Sequence, residues 1–342
     1  MNLDLLLADG EIVLPDVGVV RGSVGIREGR IAALLGYGER LPAAETIVCE
    51  GHWIMPGLVD PHVHFGFGSP ETDFLTESRS AALGGITTVI SFHRSADLRE
   101  SVDAARERGI QQSCIDFAFH FGITSRLHVE TLAECSQRFG VSSYKLYLMY
   151  RGKAGLAKGF TEIDDGLLFA AMQRVALIQG GVLGVHCENV EVSPVLREPL
   201  REAGRSDLGA WDDQSPDFLE AENVHRVCYF AGKVGCAVNI VHLSSAEALE
   251  EVRRHRRRKR APIYLETCPQ YLFLTRDTRA GVLAKVNPPL RSERDVDALW
   301  EGVLDGSVNT IATDHVPRKR STKQELWSAS AGLCTPRSTI PS

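Results

Sequence analysis

From residue 54 onward the chain repeats one pattern, a short apolar run followed by a stretch with helical periodicity. Eight candidate strands recur, at 54–61, 86–92, 115–122, 142–148, 182–186, 237–242, 262–266 and 308–313. Between them lie helix-like segments such as "DLRESVDAARERG" and "SSAEALEEVRRHRRR". In the second, Ser244 with Glu247 three residues on reads as a capping box, which places a helix start just after His242. Eight βα repeats are what a closed (β/α)8 barrel requires. An open doubly wound sheet is the competing fold, but it usually carries a Gly-rich phosphate loop after its first strand. Here that strand runs into "DPHVHFGFG", which contains no GxGxxG. An α/β protein with a (β/α)8 barrel over 54–320 is the expectation.

Residues 1–53 differ. Short β-type runs ("DLLLADGEIVL", "VGVVRGSVGIREGRIAALLG", "ETIVCEG") alternate with Gly and Asp turn signals, as in a hairpin-rich β segment. This segment is expected to form the N-terminal part of a small β-sandwich that the chain leaves incomplete. Residues 321–342 stand apart as an atypical tail, polar and Pro-containing near the end, without the periodicity of an eighth helix. The tail points to a truncated C-terminus, an unpaired sandwich edge and an exposed apolar flank on the barrel.

Composition narrows the partners. With 44% hydrophobic and 24% charged residues the chain can build a large core, and a net charge of −6 argues against nucleic acid as a partner. The basic run "RRHRRRKR" at 253–260 closes a helix, where cations complement the dipole, and reads as a solvated surface. Eight scattered cysteines without a CxxC pair suit reduced thiols in a cytoplasmic protein. The N-terminus has no basic n-region, and no apolar run reaches the roughly 18 residues of a spanning helix, so neither a signal peptide nor a membrane anchor is expected.

Side chains able to bind metal fall at the carboxyl ends of the candidate strands. His62 and His64 end the first, Lys145 lies in the fourth, His186 ends the fifth, His242 the sixth and Asp314 the eighth. Barrel active sites form at that face, from residues of several strands. Positions i and i+2 on a strand point the same way, so both imidazoles of the H-x-H step can reach one ion. Alone, the pair equally describes two hydrogen-bonded strand-end histidines, and Lys145 alone describes a lysine snorkelling to solvent. Their coincidence on one rim favours a metal centre.

The ordered set "GLVDPHVHF", "SYKLYLMY", "GVHCEN", "IVHLSS", "ETCPQYL", "KVNPPLR" and "IATDH" resembles the cyclic amidohydrolases, and within them the hydantoinase/dihydropyrimidinase branch, with allantoinase and dihydroorotase as cousins. The resemblance runs from about Asp4 to His315. It implies a site for two divalent metals, commonly zinc. His62, His64 and Asp314 would hold one ion, His186 and His242 the other. Lys145 would bridge both as N6-carboxylysine, since a protonated ammonium offers no lone pair. A metal-bridging hydroxide would then open a C–N bond of a small cyclic amide or imide, of hydantoin or dihydropyrimidine type. Asp314 would move the proton to the leaving nitrogen, and Tyr150 would hydrogen-bond the developing oxyanion. A homotetramer is also implied.

The ring is less defined. Dihydroorotases usually carry an arginine two residues beyond the second histidine, where this chain has Gly66, so a carboxylated ring is disfavoured. "TDF" at 72–74 and Tyr150 point to hydantoinases, whereas Asn287 in "VNPPLR" stands where that branch often has serine. Asn287 is either a contact to the ring amides or a cap for the turn before Pro288. Allantoinase or dihydroorotase activity, and a non-catalytic truncated homologue, are the alternatives. His93 and His120, near strand ends, are not assigned to the site; His52, His128, His225 and His255 read as structural or exposed. Cys187 alternates to the face opposite His186, which argues against a nucleophile.

Overall fold

The computed structural model describes residues 2–156, 158–161 and 163–333, in two compact units, Met1–Leu58 and Val59–Ser342. The last part of the tail segment, 334–342, lies outside the described residues.

The first unit is one five-stranded sheet. β1 (Leu3–Leu14) pairs antiparallel with β2 (Gly18–Arg27), which pairs antiparallel with β3 (Arg30–Gly36). The β2–β3 turn places Glu28 and Gly29 at φ 52° and 69°, the left-handed pair that matches the twist of a two-residue hairpin. β4 (Ala43–Val48) and β5 (Trp53–Ile54) instead join β1 in parallel. The turn signals read as a hairpin-rich segment, and the parallel return of β4 and β5 leaves no local signal. Leu3, Leu6 and Ala8 form its core, with Leu35 and Leu41 packed against them.

The second unit is the expected barrel. Its strands are β6 (Leu58–Val63), β7 (Ile86–His93), β8 (Asp116–Ile123), β9 (Ser143–Tyr147), β10 (Val182–His186), β11 (Ala237–Ile240), β12 (Ile263–Thr267) and β13 (Thr310–Ile311). They neighbour one another in chain order, with helices in the crossovers. The ring closes through a parallel bridge between Val63 and His315 and a bond from the His64 N–H to the His315 carbonyl, 2.8 Å. Asp60 completes the seam, accepting from the Thr313 N–H at 3.1 Å and its hydroxyl at 2.5 Å.

Outward strand residues such as Leu146, Leu183, Val185, Val238 and Leu265 are fully buried with helix residues Leu132, Leu167, Val224 and Leu249. Each such side chain contributes about 1.5–3 kcal/mol over leaving it exposed. Most strand limits shift by one or two residues from the sequence reading, and three differences have a structural reason. Ile54 belongs to β5, so the first barrel strand starts at Leu58. The last strand has only two residues, because Asp60 and the 313–315 backbone replace regular ladder bonds. The helix Ala246–Arg257 is capped by Ser245, whose hydroxyl accepts from the Ala248 N–H, not by Ser244, whose hydroxyl donates to Glu220 at 2.9 Å.

Residues 320–333 form no α-helix but pack against this unit. Leu326 is buried, and its carbonyl and that of Ala329 accept from Lys285 Nζ at 2.6 and 2.7 Å.

Candidate metal centre

β6 and the barrel seam bring three of the expected ligands together. Asp314 Oδ1 is 3.1 Å from His62 Nε2 and 3.0 Å from His64 Nε2. The period of two along β6 turns both imidazoles inward, where their ring centres are 5.3 Å apart. His186, at the end of β10, and His242, just past β11, face each other with centres 4.4 Å apart, and His242 reaches His62 at 5.5 Å. Ligand atoms of His62, His242 and Asp314 all lie within 4.8 Å of one another. Lys145, on β9, is buried at 1% exposure and opens into the same cavity of about 70 Å³. His242 and Asp314 both hold left-handed backbone, φ 41° and 50°, which costs non-glycine residues on the order of 1 kcal/mol and is typical of functional positions.

The nitrogens of this cluster are poorly served by the protein itself. His62 Nε2, His64 Nδ1, Lys145 Nζ and His242 Nδ1 are buried without a hydrogen-bond partner; His62 Nε2 is near Asp314 but not aligned for a bond. Each orphan costs about 1–3 kcal/mol. Four imidazoles, a carboxylate and an amine with such unspent lone pairs suit divalent metal of the zinc class.

Carboxylates behind the imidazoles set their tautomers. Glu266 Oε1 accepts from His62 Nδ1 at 2.5 Å, which turns the Nε2 lone pair toward the cavity. Glu188 Oε2 is 3.1 Å from His186 Nε2, and its other oxygen accepts from the Ser215 hydroxyl at 2.8 Å. Neither glutamate was assigned a role from the sequence. Their only signal is a strand-end position: Glu266 lies 204 residues from the His62 it holds, and Glu188 two residues past its own partner, His186.

Electrostatics follow burial. It pushes His64 down to about 4 and His242 well below the ordinary imidazole value, keeping both neutral. Burial opposes the charge of Asp314 too, but His62 and His64 outweigh it and hold the carboxyl well below its usual range. Burial lowers Lys145 to about 8, so about a tenth of its amine is uncharged at pH 7.

Tyr150 and Asn287 also line the cavity. The Tyr150 ring packs on Phe160, centres 4.3 Å apart. Asn287 Oδ1 accepts from Trp211 Nε1 at 3.2 Å. Arg94 and Arg318 are also part of the lining, both unassigned from sequence. Gly66 has φ 91°, and its N–H donates to Asp73 of the "TDF" step at 2.9 Å.

The remaining histidines fall elsewhere. His120 lies under the centre, stacked on Phe92, its Nε2 donating to the Pro61 carbonyl at 2.8 Å. His93 meets the Ser101 hydroxyl at 2.8 Å. His128 is buried, bonded to Thr124 and Ala96. Cys187 is fully buried, which raises its thiol well above the ordinary value.

No family model matches the chain. A D-hydantoinase from Streptomyces coelicolor is 34% identical over 93% of this chain and 70% of its own length. An allantoinase from Bacillus licheniformis is 29% identical over 97% of this chain and 76% of its own. The solved structure of an L-hydantoinase (dihydropyrimidinase) from Arthrobacter aurescens superposes with a TM-score of 0.88 at 26% identity, covering 99% of this chain and 76% of that one.

Proposed function

Because this chain belongs to the cyclic amidohydrolases, the family of its D-hydantoinase and allantoinase relatives, we propose that it hydrolyses a ring C–N bond of a small cyclic amide or imide, of hydantoin or dihydropyrimidine type. The observation that carries this reading is the meeting of His64, Lys145, His186, His242 and Asp314 around one cavity, with His62 buried beside it against His242 and Asp314, and four buried nitrogens lacking partners. Among the described residues, no helix is long and apolar enough to cross a membrane.

His62, His64 and Asp314 would hold one metal and His186 and His242 a second, with Lys145 shared between them as its carbamate; zinc is the proposed metal. When bound, such a pair supplies Lewis acidity toward the ring carbonyl and eases deprotonation of water. The protein's own groups do the rest. Glu266 keeps His62 in the tautomer that presents Nε2. The Asp314 carboxylate takes a proton from the attacking water and returns it to the leaving ring nitrogen. The Tyr150 hydroxyl donates to the oxyanion formed from the carbonyl. Asn287, its oxygen held by Trp211, keeps its amide N–H groups to donate to a ring carbonyl.

The seven described cysteines are unpaired, in keeping with a cytoplasmic protein. A homotetramer is proposed from the family resemblance, and light scattering tests it. For the reaction, the purified chain is assayed on hydantoin, dihydrouracil, allantoin and dihydroorotate, with metal counted by atomic absorption. Turnover on one of the first three, abolished together with metal loss in His62→Ala, is expected. A folded protein without metal and without turnover sinks the proposal.

A further inference from the structure

A second group of ligand-type side chains lies far from the strand ends, on the outer helical layer of the barrel. The helix Asp217–Val234 carries His225, and the neighbouring helix Ala246–Arg257 carries Glu251 and His255. The latter two are four residues apart, so they share one helix face. His225 Nδ1 is 3.0 Å from Glu251 Oε2 and 3.3 Å from His255 Nε2, and the three atoms all lie within 4.8 Å of one another.

Protons serve this arrangement badly. Once His225 Nδ1–H donates to Glu251, His255 Nε2 faces a nitrogen whose only hydrogen is already committed. A shared cation would satisfy all three atoms. The spacing suits one, because donors about 2.0–2.1 Å from a tetrahedral zinc ion are about 3.3–3.4 Å from each other. Glu251 is also fixed for the task, since Arg254 takes its other oxygen, Oε1, at 3.1 Å. Two other arginines of the helix are engaged elsewhere: Arg253 reaches Glu250 and Asp305, and Arg256 the carbonyls of Ile263 and Ser307, while Arg258 at the helix end lies near His255. His255 is buried, whereas the His225 side chain is 47% exposed, so the site opens to solvent on one side.

We propose that His225, Glu251 and His255 form a separate binding site for a borderline divalent transition metal of the zinc class, with a fourth position open to water. Two imidazoles and one carboxylate form a donor set that prefers such ions over magnesium or calcium. Such an ion would tie the two helices together.

The test is equilibrium dialysis of the full chain against Zn²⁺ at micromolar free metal, with bound metal counted by atomic absorption. His225→Ala and Glu251→Gln should each bind one Zn²⁺ fewer per chain than the parent, with hydrolase turnover unchanged. His225 is half exposed on a helix, where alanine is well tolerated, and Glu251→Gln keeps the side-chain shape, so both variants should fold. Zn²⁺ should also raise the thermal midpoint of the parent more than that of either variant. Equal metal counts in parent and both variants overturn the site. Because each variant is read against its parent, the outcome is independent of how the strand-end centre is loaded and of which ring the enzyme opens.

Discussion

One carboxylate oxygen of Glu266 serves two of the candidate metal ligands, His62 and His242. Oε1 accepts from His62 Nδ1 at 2.5 Å and from the His242 backbone N–H at 3.2 Å. It therefore orients one imidazole and also fixes the left-handed backbone that aims the other. Glu266→Gln should weaken metal binding about 10–100-fold, the usual effect of losing such a supporting group. Competition with a chromophoric chelator measures this. Unchanged affinity would show that Glu266 is only a packing residue.

The carbamate proposed for Lys145 should reveal itself through pH. Carbamate formation joins the neutral amine to carbon dioxide and releases a proton. With the amine lowered to about 8, the neutral fraction is about one half at pH 8 and about 1% at pH 6. At fixed dissolved carbon dioxide, recovery of activity by metal-stripped protein given Zn²⁺ should therefore accelerate as pH rises from 6 to 8 and then level. A flat rate profile would exclude carbamate formation as the limiting event.

Glu220 anchors the loop that follows His242. It is fully buried, accepts from the Ser244 and Ser245 hydroxyls at 2.9 and 2.6 Å, and faces Arg291 Nη2 at 3.8 Å. Glu220→Ala leaves Arg291 with Asp212 as its directly paired carboxylate and frees two hydroxyls. Loss of a partner from a buried ionic cluster costs about 3–5 kcal/mol, and the urea midpoint should fall accordingly. A change below about 1 kcal/mol would refute this assignment.

Acid should destabilise the barrel through two histidines outside the ligand set. Burial lowers both His93 and His120 to about 4, against about 6.5 when unfolded. Between those values the unfolded chain binds more protons, so stability falls as pH drops from about 6.5 to 4. The slope approaches about 1 kcal/mol per pH unit for each histidine, after allowance for their partial exposure. Denaturant titrations across this range should show it, and His120→Asn should reduce the slope. An unchanged slope would mean that His120 is protonated in the folded barrel.

The barrel could be read from sequence because each strand is a local apolar run. Val182–His186 was bounded correctly to the residue, and all eight strands were placed in order. Pairing that depends on distant partners could not be read. Ile54 reads as the start of the barrel strand, yet it pairs with Ile12. The six strand-end residues stood out because histidine and lysine at those positions are unusual. Glu266 and Glu188 did not, since a carboxylate at a strand end gains meaning only when the imidazole it holds is known. The basic helix end reads as solvated surface, and only packing on its neighbour brings His255 to His225.

The barrel seam would give the proposed metal centre a role in assembly as well as chemistry. The His64–Asp314 contact spans 250 residues of chain, and the Asp60–Thr313 bonds span 253, so these contacts form only when the first and last strands meet. Contacts of such long sequence separation come at high entropic cost and form late. An ion held by His62, His64 and Asp314 would act as a clasp on that ring. Metal removal should then loosen the joint between the two ends of the barrel before it disturbs the strands midway between them.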